Sequence, residues 1–135
     1  MIAGVTDTHP FLWYVTGQHD RLGRKALRLF EAAERSDGSG IVYVPTVVLC
    51  ECLMLSERVR LETRFDHWVR ELDRSQFFLI SPLTPEVLLY AFGISQVPDI
   101  FDRLIAATAL DLDTPLVTQD QEIIDANCVE ILWDE

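Results

Sequence analysis

Residues 1–15, MIAGVTDTHPFLWYV, decide how the chain folds. Ile2 to Thr6 is short, apolar and β-prone, as a buried strand is, and Phe11, Leu12, Trp13 and Val15 form the face of a packed helix. A strand followed at once by a short helix opening at Pro10 is the first unit of a β–α alternation. Between the two stands Asp7, a carboxylate where two core elements meet. One Asp there can simply cap a helix. Its meaning turns on whether other carboxylates occupy equivalent places downstream.

Outward from that stretch the alternation continues. Residues 21–35 place Leu22, Ala26, Leu29, Phe30 and Ala33 at helical spacing, and SDGSG (36–40) breaks the helix. IVYV (41–44) reads as a second strand, and Pro45-Thr46 opens a helix running to about Glu57. Leu61, Phe65, Trp68 and Leu72 mark an amphipathic helix over 61–73, and FFLI (77–80) a third strand. Thr84 caps the next helix, with Pro85 in its first turn and Gly93 as terminator. IFDRLIAATALDL (100–112) carries Ala106, Ala107 and Ala109, small enough for a helix to lie close on a sheet. PLVT (115–118) is a fourth strand, 120–126 a short helix, and VEIL (129–132) a possible fifth strand. Short apolar strands separated by helices predict an α/β fold with a mostly parallel sheet of four to five strands, covered on both faces.

The totals bound the function. With 135 residues, 49% of them hydrophobic, residues 1–135 read as one domain with a real core. No apolar run approaches the ~20 residues of a membrane span and no secretion signal opens the chain, so a soluble, cytoplasmic protein is expected. Cys50, Cys52 and Cys128 form no CxxC pair, which points to core packing and away from disulfides or zinc. A formal charge of −11 excludes nonspecific nucleic-acid binding through bulk charge. The distribution leaves one exception: residues 21–35 hold five bases against two acids, whereas residues 104–135 hold eight acids and no base. Arg24, Lys25 and Arg28 of that basic helix are the candidates for phosphate contact.

Loops at the carboxyl ends of parallel strands form the binding crevice of such folds. Asp7 follows strand one, Glu51 lies in the helix after strand two, Asp102 in the first turn of the helix after Pro98, and Asp120 two residues beyond strand four. All four fall on the same side of the sheet. Singly, Asp7 and Asp120 fit helix starts, and Asp99 with Asp102 has the spacing of a capping box. Glu51 is harder to account for, because it sits in an almost wholly apolar helix, expected to be buried, with no Lys or Arg within a turn. Two unit charges ~4 Å apart repel by roughly 4 kcal/mol at an effective dielectric of 20. Four carboxylates together therefore need a cation. Oxygen-only ligands favour a hard divalent ion, Mg²⁺ or Mn²⁺, and a neighbouring His9 more often hydrogen-bonds than ligates. Such an ion in an open crevice suits phosphate-ester chemistry, since it activates water and offsets charge on the phosphoryl group.

TDTHPFLWYV, VPTVVLCECLM, PDIFDRLIAATAL and PLVTQDQEI together resemble, in order and spacing, the successive motifs of the PIN-domain ribonucleases, and especially the VapC-type toxins of toxin–antitoxin pairs. The similarity spans about residues 2–132. It implies a three-layer α/β/α PIN-like fold and a Mg²⁺- or Mn²⁺-dependent endoribonuclease. By matching motifs, Asp7, Glu51, Asp102 and Asp120 take the places of the family's acidic quartet, and Asp99 matches a frequent extra acid. Thr118 matches a Ser/Thr that positions a water at the ion, with Thr8 in a similar role. The resemblance further implies an RNA substrate, a homodimer and a cognate antitoxin whose tail covers the groove, for which Trp13, Tyr14 and Trp68 are contacts unless they pack in the core. Pro10 stands where the family often has a small apolar residue, and QVPDIF lacks the HxDPF form of one subgroup; neither departure removes a carboxylate.

Other classes compete. A receiver-like phosphotransfer module also gathers aspartates at strand ends, but the third strand ends in Ser81-Pro82 without an acceptor Asp and the only lysine is Lys25. A catalytically silent PIN-like binding module and a PIN nuclease outside any toxin pair share the same motifs; metal-dependent stabilisation separates the first, a small upstream partner gene the second.

Overall fold

The computed structural model describes residues 1–59 and 64–134. Its elements are β1 (Ile2–Thr6), α1 (Thr8–Val15), α2 (Arg24–Glu34), β2 (Gly40–Pro45), α3 (Thr46–Val59), α4 (Phe65–Arg74), β3 (Phe78–Ser81), α5 (Pro85–Phe92), α6 (Ile100–Leu112), β4 (Leu116–Val117) and α7 (Gln121–Ala126). The four strands form one sheet in the order β3-β2-β1-β4, every pair parallel. Gly4, Val5 and Thr6 are buried in succession, and successive strand residues face opposite sides, so β1 is covered on both faces. The expected α/β sheet with helices on it is what the chain forms.

Local chemistry sets the boundaries. The first helix starts at Thr8, two residues before Pro10, because Asp7 caps it and Pro10 falls within the first turn, where no backbone N–H is needed. The predicted helix over 21–35 starts late: Arg21 ends a 3₁₀ turn over His19–Arg21, and α2 begins only after Gly23. Leu22, Ala26, Leu29, Phe30 and Ala33 are buried as their spacing predicted. Phe30 stacks on Tyr14 at 4.7 Å. Gly93 ends α5 with an ordinary right-handed φ of −81°; the left-handed terminators are Asp113 and Asn127, each at φ 51°. Ala106, Ala107 and Ala109 are fully buried, which lets α6 pack against β1. Leu61, the first residue of the predicted fourth helix, lies outside the described residues.

Two expectations are corrected. The possible fifth strand over 129–132 is reduced to a single parallel bridge, Leu116 to Ile131, because β4 is only two residues long and offers no longer ladder. The apolar run of α3 is not wholly buried. Val47, Val48, Leu49 and Cys52 face the core, whereas Cys50, Leu53 and Met54 are exposed and Glu51 is half-buried.

Candidate active site

The carboxyl edge of the sheet collects the acids. Asp7 directly follows β1, Thr118 follows β4, and Asp99 and Asp120 are the N-caps of α6 and α7. Capping places them there: Asp7 Oδ1 accepts from the Thr8 N–H at 2.7 Å, Asp99 Oδ1 from the Asp102 N–H at 3.0 Å, and Asp120 Oδ1 from the Glu122 and Ile123 N–H groups at 2.9 and 3.2 Å. The capping role read from sequence is therefore real for Asp7 and Asp99, and Asp120, expected to favour its helix start through the dipole, caps it directly. It does not compete with a site, since each cap engages only Oδ1 and leaves Oδ2 to other partners, which for Asp7 include the Thr118 hydroxyl. Three helix N-termini, with their partial positive charge, meet beside the acids.

A hydrogen-bonded chain ties the cluster together. The Thr8 hydroxyl donates to Glu51 Oε1 at 2.6 Å, and the Thr118 hydroxyl donates to Asp7 Oδ2 at 2.7 Å while accepting from the Asp120 N–H at 3.0 Å. Glu51, Thr8, Asp7, Thr118 and Asp120 are thus linked across the ends of β1, β2 and β4. Both threonine hydroxyl protons go to carboxylates, so the two residues orient acids while each oxygen keeps a lone pair able to accept from a water. Thr118→Val removes the donor from buried Asp7 while keeping the shape. It is expected to weaken divalent-ion affinity by about 10–100-fold, as loss of a supporting hydrogen bond does, measured by Mn²⁺ titration.

The electrostatics report the same gathering. Burial raises the Asp7 carboxyl above its ordinary value, Thr118 and Thr8 oppose the rise, and Asp120 adds to it. Glu51 is raised by burial and then by Asp7 and Asp99, against the Thr8 hydrogen bond. Asp102 is pushed up to about 7, first by burial and then by Asp7, Asp99, Asp120 and Glu51. The four other acids therefore lie within electrostatic reach of Asp102. The His9 imidazole, which is exposed, eases the load on Asp7 and Glu51. Ion pairs among the described residues are Arg35–Asp37, Arg70–Asp66 and Arg74–Glu71, none of them here. Arg24, Lys25 and Arg28 are exposed on α2 and are not brought into the cluster.

A hard divalent ion fits this set in donor chemistry and in charge: oxygen ligands only, raised carboxyls and no ion-pair partner. The set is open, since among the described residues no three His, Cys, Asp or Glu side chains are drawn tightly enough to enclose an ion. An apolar cleft lies apart from the acids. It measures about 680 Å³ and is lined by Phe11, Tyr14, Trp68, Leu72, Glu34 and Glu71 among others. Tyr14 is buried, with its hydroxyl donating to Glu34 Oε2 at 2.7 Å, and Trp68 is half-buried against Phe11. One feature escaped the sequence reading altogether: Trp133 and Asp134 dock on the first turn of α2. The only signal for it is Gly23, set ahead of a helix that has no side-chain cap of its own.

Solved structures share this fold. The chain is similar to VapBC2 from Rickettsia felis bound to a DNA fragment from their promoter, at 17% identity and TM-score 0.66, covering 99% of this chain and 100% of that one. It is similar to FitAcB from Neisseria gonorrhoeae at 20% identity and TM-score 0.64, covering 98% and 96%. A toxin–antitoxin complex from Klebsiella pneumoniae matches at 16% identity and TM-score 0.59, over 87% and 86%. No curated protein is significantly similar in sequence. The PIN domain family profile matches residues 5–127, from the strand that carries Asp7 to the end of the helix that Asp120 caps. The chain belongs to the PIN domain family.

Proposed function

We propose that the protein is a Mg²⁺- or Mn²⁺-dependent endoribonuclease and the toxin of a VapBC-type toxin–antitoxin pair. The observation that carries this reading is the convergence of Asp7, Glu51, Asp99, Asp102 and Asp120 at one sheet edge, with no ion-pair partner, in a PIN domain. Asp7, Glu51, Asp102 and Asp120 would hold the ion, with Asp99 at the rim. A bound ion supplies an activated water and offsets the charge that develops on the phosphoryl oxygens. The chain's own part is to fix the carboxylates through Thr8 and Thr118 and to direct helix N-termini at the phosphate. Water is then the nucleophile, and the products carry a 5′-phosphate and a 3′-hydroxyl.

The structures of VapBC2, FitAcB and the Klebsiella complex support an antitoxin partner. The 680 Å³ cleft, lined by Phe11, Tyr14, Trp68 and Leu72 with charged residues of both signs, suits an amphipathic segment of that partner. A homodimer is supported by α5, where Leu88, Leu89 and Phe92 are exposed together with Ile100. Phe92→Glu is expected to convert the dimer to monomer in sedimentation.

Cleavage of a mixed tRNA and rRNA pool by antitoxin-free protein tests the reading. Cutting with Mn²⁺ that is absent in EDTA and in Asp102→Asn supports it, and the species cut identifies the target. Products ending in 2′,3′-cyclic phosphate would refute water attack. No cutting, with a melting temperature that Mn²⁺ leaves unmoved, would make the fold a binding module.

A further inference from the structure

A row of aromatic side chains leads away from the carboxylates. His9 and Trp13 are four residues apart on α1 and share one face of it, with ring centroids 6.0 Å apart and planes tilted by 49°. His9 is exposed beside Asp7, and Trp13 is half-buried. Trp13 meets Trp133 edge-on at 6.3 Å, and the Arg21 guanidinium lies 5.1 Å over the Trp13 ring.

The far end of the row is fixed in place. The Trp133 carbonyl accepts from the Lys25 and Ala26 N–H groups at 2.9 and 3.2 Å, and Asp134 Oδ1 accepts from the Arg24 N–H at 2.6 Å. A Cβ on Gly23 would come within 2.6 Å of the Trp133 carbonyl oxygen, so the helix start must be a glycine for the tail to lie there. The row therefore runs from the acids to the helix that carries Arg24, Lys25 and Arg28. With Arg21 and Arg35, residues 21–35 hold five of the chain's 11 bases.

Trp13 and Trp133 pack against the core, which does not require the cations beside them. Trp13 is gripped from two sides, yet part of it stays open to solvent next to an exposed imidazole and an exposed guanidinium. Aromatic faces interleaved with basic side chains are how proteins hold single-stranded nucleic acid, stacking bases on the rings and pairing phosphates with the cations. A purely apolar protein partner would gain little from the cations.

We propose that the His9–Trp13–Trp133 row is the track for single-stranded RNA on one side of the cleavage site. The base next to the scissile phosphate stacks on His9 and Trp13, and Arg21 and Lys25 take the phosphates beyond it. Arg21 now covers the Trp13 face; a stacked base releases its guanidinium to the backbone. Stacking is tolerant of sequence, so the track gives affinity and direction, not base readout. The inference rests on the nuclease reading.

The test is fluorescence anisotropy of a 5′-labelled 12-nucleotide oligouridylate, with Ca²⁺ in place of Mn²⁺. Trp13→Ala is expected to weaken binding about tenfold and Trp13→Phe to recover most of it, neither changing the salt slope. Arg21→Ala is expected to lower that slope by about one, and Arg70→Ala, on α4, to change nothing. His9→Ala, at an exposed position that folding does not need, is expected to weaken binding about threefold and keeps the test open if Trp13→Ala fails to fold. Wild-type affinity in His9→Ala and, where it folds, in Trp13→Ala would overturn the track, as would loss of antitoxin binding in these variants with RNA binding intact. Cutting of the RNA pool by the wild type with Mn²⁺ separates that failure from failure of the nuclease reading, which would leave the pool uncut.

Discussion

Asp102→Asn is expected to abolish Mn²⁺-dependent cleavage and, at pH 8, to raise the melting temperature of the metal-free protein. The two effects have one origin. Asp102 is half-buried and faces Asp7, Asp99, Asp120 and Glu51, and burial with those four charges raises its carboxyl to about 7. At pH 8 it is ionised in a place that disfavours the charge. A shift of that size would amount to about 4 kcal/mol in full, and partial solvent exposure screens it to about 1–2 kcal/mol. Against this stands a loss of about 0.3–1 kcal/mol, because Asp102 sits in the first turn of α6, where a negative charge is favoured. The net gain is about 1 kcal/mol, or about 3–5 °C for a chain of this size. At pH 5 the wild-type carboxyl is protonated and the gain disappears. For catalysis the sign reverses: an ion's stabilisation of phosphoryl charge is worth several kcal/mol, so losing a ligand costs roughly 10²–10³-fold in rate. Differential scanning fluorimetry in EDTA and the pool cleavage assay read the two. A variant that melts lower than wild type at pH 8 in EDTA would mean that Asp102 is not held against its neighbours.

The parallel sheet was legible because its strands read as short, nearly unbroken apolar runs, ending at Thr6, Pro45, Ser81 and Val117, even though the edge strand β3 is only half-buried along its length. Once the strands are placed, Asp7, Glu51 and Asp120 follow, since each lies at a strand end or in the helix after one, whereas Asp99 and Asp102 open α6, a second helix beyond β3. What stayed hidden was orientation and distance. An apolar run such as VVLCECLML shows that a helix packs, not how far round it is covered, and Leu53 and Met54 proved exposed. The partners of Thr8 and Thr118 lie 43 and 111 residues away, beyond any local pattern. The tail was misread for a similar reason. VEIL has strand composition, but only Ile131 finds a partner before the chain turns to place Trp133 on Gly23, a contact that depends on the finished fold. Asp7, Asp99 and Asp120 show why a cap and a site are not alternatives: the bond that fixes the helix start also aims the carboxylate.

The metal-free protein is expected to lose stability as pH rises from about 5 to 8, and added Mn²⁺ to return most of what is lost. Asp102, Asp7 and Glu51 all have native carboxyls raised above their ordinary values. Over the interval between the ordinary value and the raised one, the folded protein keeps protons that the unfolded chain has released. Stability then falls with increasing pH, and the fall ends above the native value, which for Asp102 is about 7. The slope cannot exceed about 1.4 kcal/mol per pH unit for each proton, and solvent screening brings the total near 2–3 kcal/mol. A cation competes with those protons. It binds the ionised cluster, so its stabilisation is small at pH 5 and grows toward pH 8, reaching about 2.7 kcal/mol at 100 times its dissociation constant. Melting temperatures measured with EDTA and with Mn²⁺ should therefore coincide near pH 5 and diverge by roughly 5–10 °C at pH 8. Cleavage should rise over the same interval, because the same protons leave. Parallel curves, equally separated at every pH, would show that Mn²⁺ stabilises the protein somewhere other than at these carboxylates.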